Sequence, residues 1–237
     1  MVSPFGYSGR FRERREAIDM VSFSSDTDIL KCEPALFSEL YPAEQVLISG
    51  SGGTLSGTSF TAAGADFVSA VVSAGGVVHL QSPDGSLDGA YEIVSVDSVT
   101  QLTVSVIRAD AEGQAIAPPA ATDVSFRVCT YGPQANEIGF RLTEYFGIQP
   151  GNPQSDIGSD DILDSEVLRQ ASVFGVICSV YAMLASNAED ENFWKKSLYY
   201  RRLFEKARQR CRLAIDTGSD GVCDVTRFGG AVKLRRG

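Results

Sequence analysis

From about residue 46 to residue 130 the chain alternates short apolar runs with clusters of Gly, Ser and Pro. Leu102, Val104 and Val106 alternate with Thr103, Ser105 and Ile107, the two-residue period of a half-buried strand. Similar runs occur at Val46–Ile48, Gly76–Leu80, Ala90–Val96, Gln101–Ile107 and Val124–Cys129. Turn signals separate them at Ser51–Gly53, Gly75–Gly76, Pro83–Gly85 and Pro118–Pro119. Five or six strands of this length predict a small antiparallel barrel or sandwich. Asp66–Ser73 reads as a short helical or irregular turn.

On either side of that region the period is helical. Ser25 or Asp26 can cap a helix starting near Thr27, with Ile29, Leu30, Leu36, Phe37 and Leu40 on its apolar side and a break at Pro34. Pro133 to Phe146 reads as a helix that Gly147 stops, and Ile148 to Gly158 as a loop. Ser159 is placed to cap a long helix, with Asp160 and Asp161 in its first turn and a stripe of Leu163, Val167, Phe174, Ile177, Tyr181 and Leu184. Asn187 opens the next helix, acidic at its start and carrying Arg208, Arg210 and Arg212 in its last turns. Its buried side reads as Phe193, Leu203, Phe204, Ala207, Cys211 and Ala214. Two such helices joined by a short turn form an antiparallel hairpin.

The expected fold class is therefore α+β: a helical bundle with a long C-terminal helix hairpin, interrupted by a small antiparallel β-barrel or sandwich insertion, with extended arms at both ends. The corresponding units are an N-terminal arm (1–25), a helical domain (26–45 and 131–222), a β-rich insertion (46–130) and a C-terminal arm (223–237).

Charge sharpens this division. The net charge is −9 over 237 residues, but residues 21–194 hold five basic side chains against 23 acidic ones, and residues 195–237 hold 12 against four. A basic end on an acidic body suits head-to-tail or stacked association. It argues against duplex DNA as a broad, tight ligand, because phosphate contacts dominate that affinity. No run approaches the roughly 20 apolar residues that span a bilayer. The first 25 residues lack the apolar core of a secretory signal, so a soluble protein made in a cytoplasm is expected.

Candidate chemistry is sparse, and no catalytic site or cofactor is expected. Cys32, Cys129, Cys178, Cys211 and Cys223 are far apart, and His79 is the only histidine, which leaves no zinc-ligand spacing. Buried free thiols are the expectation. Gly50-Ser51-Gly52-Gly53 lacks the Lys and Ser/Thr of a phosphate loop. Asp160 and Asp161 suit a helix start better than general acid and base work. Asp216, Asp220, Gly221 and Asp224 share the D-x-x-x-D-G-x-x-D outline of a calcium loop. However, Gly218 and Arg227 stand where two further ligands belong, so a chain-reversing turn is the stronger reading.

The segment 186–207 (SNAEDENFWKKSLYYRRLFEKA), followed by 214–224 (AIDTGSDGVCD), resembles the last helix and following turn of tailed-phage head–tail connector (adaptor) proteins. Asp28 to Phe37 (DILKCEPALF) looks like the short first helix of some of these proteins. The resemblance covers a quarter to a third of the chain. It implies a structural protein of the virion neck, assembled in the host cytoplasm, with no enzymatic activity and no membrane partner. It further implies a homo-oligomeric ring of about twelve copies. That ring would bind the portal protein above and a stopper, tail-terminator or other tail protein below, with genomic DNA passing through unread. Arg227, Phe228, Lys233, Leu234, Arg235 and Arg236 would form the portal-binding arm. Three alternatives stand beside it: another tail or neck component (a terminator, baseplate or fibre-attachment protein), a ligand-binding β-module, and, last, an enzyme with a hydrolytic activity at the Asp216–Asp224 loop.

Overall fold

The computed structural model describes residues 21–148, 157–188 and 191–229. Two short helices, α1 (Asp26–Cys32) and α2 (Ala35–Ser38), lead into six strands. These are β1 (Val46–Ser56), β2 (Ser59–Thr61), β3 (Val77–Gln81), β4 (Asp88–Ser98), β5 (Gln101–Ser105) and β6 (Ala121–Cys129). Helices α3 (Gly132–Tyr145), α4 (Arg169–Ala188) and α5 (Glu191–Arg210) follow, and then the strands β7 (Arg212–Ile215) and β8 (Val225–Phe228).

The first six strands close into an antiparallel barrel in the order β1-β2-β5-β4-β3-β6, with β1 pairing to β6. This corrects the expected fold class. The closed barrel is the main sheet of a mixed α/β molecule with five α-helices among the described residues, rather than a small insertion in a helical bundle. Closure removes every edge strand, so the barrel carries its own complete core. That core holds Leu55, Phe60, Phe67, Leu80, Ile93, Leu102, Val104 and Phe126, all nearly or fully buried.

Phe60 and Phe67, near each other in sequence, meet Phe126 of β6 at its centre, with ring centroids 5.5 Å (Phe60–Phe126), 5.6 Å (Phe67–Phe126) and 6.3 Å (Phe60–Phe67) apart. They explain why Gly50 to Gly53 belongs to a strand rather than to a turn. A Cβ on Gly53 would stand 2.6 Å from the Phe60 ring, and one on Gly50 would stand 2.8 Å from that of Phe126. The glycines clear space for aromatics, and β1 bulges across them as its register against β6 shifts. Strand β2 carries no period long enough to announce itself; Phe60 anchors it.

The C-terminal third differs from expectation for a similar reason. Ser159–Asp161 is a single 3-10 turn, and the α-helix begins only at Arg169. The intervening residues pair with β7: Ile162 bridges Ile215, the Leu163 N–H donates to the Ala214 carbonyl, and the Asp216 N–H donates to that of Asp161. Likewise α5 ends at Arg210, and Leu213 and Ile215 alternate inward as a strand over Phe146, Ile148 and Leu168. Residues 211–215 are thus half of a β-hairpin rather than the last turn of a helix.

Helix α4 packs on α1, α3 and α5 as the central helix of that layer. The segment Ser165–Ser186 is long and apolar enough to cross a membrane by length and composition, contrary to the sequence expectation, and half of its apolar window is buried inside the fold.

Barrel and helices meet at a continuous apolar seam that joins Val77 and Cys129 to Ile29, Leu36, Phe37, Tyr131, Ile138 and Ile177. Tyr131 is fully buried there: its N–H donates to Asp26 Oδ1 at 2.8 Å and its hydroxyl to the Leu36 carbonyl at 2.7 Å. Thr27 adds hydrogen bonds to the Gly75 carbonyl from both its N–H and its hydroxyl. The end of the expected N-terminal arm is also built in, since Val21 is buried and the Ser24 and Ser172 hydroxyls lie 2.8 Å apart. Residues 1–20 lie outside the described residues.

Burial pushes the Asp26 carboxyl from its ordinary 3.8 up to about 6, although the Tyr131 N–H and Thr130 act in the opposite direction. The folded state then holds the proton more tightly than the unfolded state. The contribution of Asp26 to stability is fully present below about pH 4 and is lost as pH rises through about 6. Asp26→Asn retains an acceptor for Tyr131 without the charge. Urea midpoints measured across this window should fall for the native chain relative to D26N; parallel curves would contradict the burial argument.

Candidate interaction surface

The outer face of α5 sets exposed aromatics among cations. Its inner face packs Phe193, Tyr200, Leu203, Phe204 and Ala207 against α4 and its neighbours. The outer face leaves Trp194 52%, Leu198 37% and Tyr199 58% exposed. Cations flank them. Lys195 pairs with Glu191 at 3.0 Å and Arg201 with Glu205 at 3.3 Å, both spaced i,i+4. Lys196, also exposed, pairs with Glu33 at 2.9 Å, whereas Arg202, Lys206 and Arg210 have no carboxylate within 4.0 Å among the described residues.

The barrel is the electrostatic opposite. Asp84, Asp88, Asp97, Asp110, Glu112 and Asp123 are all exposed, and no cation in residues 46–130 is. Arg108 is buried in a pair with Glu92 (2.6 Å) and donates a second bond to the Gly113 carbonyl. Arg127 is half-buried, donating to the Phe37 and Ser38 carbonyls and stacking 3.5 Å from the Tyr41 ring centroid. Both cations serve the fold, so the barrel's exposed charge is wholly negative.

At the barrel end furthest from the helices, Thr54–Ser56, Ala120–Asp123 and the β3–β4 turn enclose an open groove of about 680 Å³. Its wall is apolar at Leu55, Pro83 and Ala121 and acidic at Asp84 and Asp123. Asp84 is held well below the usual carboxylate range, at about 2, by the hydroxyls of Ser82 and Ser86 and the Ser86 N–H. It therefore stays charged. Asp123 has a left-handed backbone, φ +56°, which Asp adopts readily, where the β1–β6 register shifts between Gly53/Val124 and Leu55/Ala121.

The other sequence candidates fall in varied places. Asp216, Asp220 and Asp224 share the β7–β8 loop, where their carboxylates accept loop N–H groups. Asp216 takes Asp220 and Gly221, Asp220 takes Val222, and Asp224 takes Thr217 and Gly218. No group of three or more His, Cys, Asp or Glu side chains among the described residues is arranged to hold a metal ion. Arg227 and Phe228, assigned to a free arm, are exposed residues of β8; Phe228 stacks under Arg212, 5.5 Å from the guanidinium carbon. Lys233, Leu234, Arg235 and Arg236 lie outside the described residues. His79 Nε2 stands 3.3 Å from Asp88 Oδ1 on the barrel wall, its pKa lowered by burial and by nearby Arg127. All five cysteines are free, and Cys32 and Cys223 are exposed, contrary to the expectation of burial.

Sequence reading missed the contact that holds α5 in place. Glu33, at the end of α1, accepts from Lys196 Nζ at 2.9 Å and from the Tyr200 hydroxyl at 2.8 Å, and Lys196 also donates to the Tyr181 hydroxyl at 2.8 Å. Burial pushes the Glu33 carboxyl up, but hydrogen bonds from Lys196, Tyr200 and Tyr181 outweigh it and leave the group below its ordinary value. Partners 163 residues apart leave no local signal in the sequence.

Together the described residues present two unlike surfaces: a closed barrel with an acidic outside, joined to a helix hairpin with a basic, aromatic face. No protein-family model matches the chain, and no curated protein or solved structure matches it.

Two outcomes follow. Glu33→Ala strips the acceptor from Lys196 and Tyr200 and should cost about 1–3 kcal/mol in a urea titration; an unchanged midpoint would show that α5 is held by packing alone. Val71 is 77% exposed at φ +58°, a left-handed conformation unfavourable to a β-branched residue. Val71→Asn should raise stability by about 1 kcal/mol, and a loss of stability would refute the strain.

Proposed function

We propose that this chain is a virion structural protein, a head–tail connector (adaptor) subunit. In this reading its copies form a ring of about twelve beneath the portal of a tailed-phage capsid. The observation that carries it is the separation of charge onto two different faces: the barrel exposes carboxylates and no cation, and α5 exposes cations beside Trp194, Leu198 and Tyr199. Unlike faces on one chain suit heterologous contacts, and heterologous contacts close into rings when the rotation permits. The resemblance of residues 186–207 and 214–224 to the connector family's last helix and turn supports the same reading. An acidic barrel facing the channel would let genomic DNA slide past without being held. The basic C-terminal residues would reach the portal protein, and the opposite side of the ring a stopper or tail-terminator.

Cryo-electron microscopy of purified particles tests this directly: a ring of this chain between portal and tail is expected. Its presence elsewhere in the tail would move it to another neck or tail component, and its absence from particles would defeat the reading. Because Arg227 and Phe228 belong to β8, the arm is tested by deleting residues 230–237 alone. The shortened chain should fold yet fail to join filled heads, whereas normal joining would exclude those residues as the portal contact.

A further inference from the structure

Trp194 is the chain's single tryptophan, and it stands 52% exposed with Leu198 one turn further along the same face. Scattered surface apolars need no explanation, but an aromatic and apolar cluster set among unpaired cations is the composition of a contact centre. A face of that kind needs a partner that is apolar at its centre and acidic at its rim.

The same chain carries such a surface. The groove at the far end of the barrel is lined by Pro83, Ala120 and Ala121 together with Asp84 and Asp123, over a floor at the buried Leu55. Its volume of about 680 Å³ lies in the range that accepts a few side chains. Asp84 stays ionised because Ser82 and Ser86 hold its charged form. The Asp123 carboxylate is exposed, and no side-chain hydrogen bond or ion pair engages it among the described residues, so it is free to meet a cation from a neighbour.

The geometry points to a second copy of this chain as the occupant: Trp194 and Leu198 of one copy enter the barrel groove of the next, and Arg202 and Lys206 face its Asp84 and Asp123. This deepens the ring reading above and rests on it, because it names the two unlike faces that successive copies would join. Nucleic acid is the competing occupant of a basic aromatic helix. The groove favours protein, since it offers an acidic and apolar match to this helix and would repel phosphate.

The lone tryptophan reports directly on the contact. Emission and acrylamide quenching of Trp194 are followed in the full-length chain over a concentration series at low salt, with sedimentation velocity on the same samples. Association should bring a blue shift and protection from quencher. D123R, and separately R202E/K206E, should each weaken association about tenfold or more, with circular dichroism confirming that both variants fold. Mixing the two variants should restore the blue shift, because the unaltered α5 of D123R then meets the unaltered groove of R202E/K206E. Association that leaves Trp194 open to quencher overturns the contact and leaves the ring reading standing. A blue shift indifferent to D123R overturns the groove as the socket. A response to duplex DNA but not to further copies assigns the face to nucleic acid and overturns the inference. A chain that stays monomeric to millimolar concentration also overturns it, while the ring reading falls only if particles show no ring.

Discussion

Tyr131 stands where the last barrel strand turns into helix α3, and it is fully buried there. Its N–H, its hydroxyl and its ring each meet a different part of the N-terminal segment: Asp26, the Leu36 carbonyl, and Phe37 edge-on at 5.2 Å. Burying a tyrosine with both polar ends satisfied avoids the penalty of an orphaned donor and keeps the gain of aromatic burial. Both the barrel mouth and the helical layer rest on this joint. The same apolar cluster takes in Val77 and Cys129 from the barrel and Ile138, Val176 and Ile177 from the helices. Since α1 also fixes α5 through Glu33, the placement of the basic helix face depends on the same short N-terminal segment.

The charge distribution follows from this division of labour. Cations within the barrel region are spent on structure, Arg108 against Glu92 and Arg127 against helix carbonyls. The solvent side of the barrel is left to carboxylates. On α5 the opposite holds, because the inner face is satisfied by α4 and the outer face keeps its cations in water. Neither arrangement improves the stability of a lone chain, and net self-repulsion works against a compact state.

Much of this was legible from residue order, though unevenly. Strands β3, β4, β5 and β6 follow apolar runs bounded by turn residues, with a two-residue period legible in β5, and α3 begins beside Pro133 and ends before Gly147 as its residues require. The α4–α5 pair also follows its apolar stripes, although α4 starts ten residues later than its apparent cap at Ser159. Of the candidate surface, the basic character of residues 195–212 was visible, but the exposure of Trp194 beside a buried Phe193 side was not. The β7–β8 hairpin was obscured because Cys211 and Ala214 also fit the helical stripe of α5. The alternation of Leu213 and Ile215 before an Asp220-Gly221 turn was the signal available to find it.

The sequence by itself determined where apolar side chains recur, where the chain turns, and how charge divides between its body and its end. These are local properties, carried by neighbours along the chain. Tertiary structure decided that Gly50 to Gly53 is a strand, because the Phe60 and Phe126 rings that demand those glycines come from elsewhere. It also decided that the barrel closes, that residues 161–163 pair with β7 rather than wind into α4, and that Asp84 and Asp123 share one groove. Each of these depends on contacts between residues far apart in sequence, and a period along the chain records which way a side chain faces but not what it meets there.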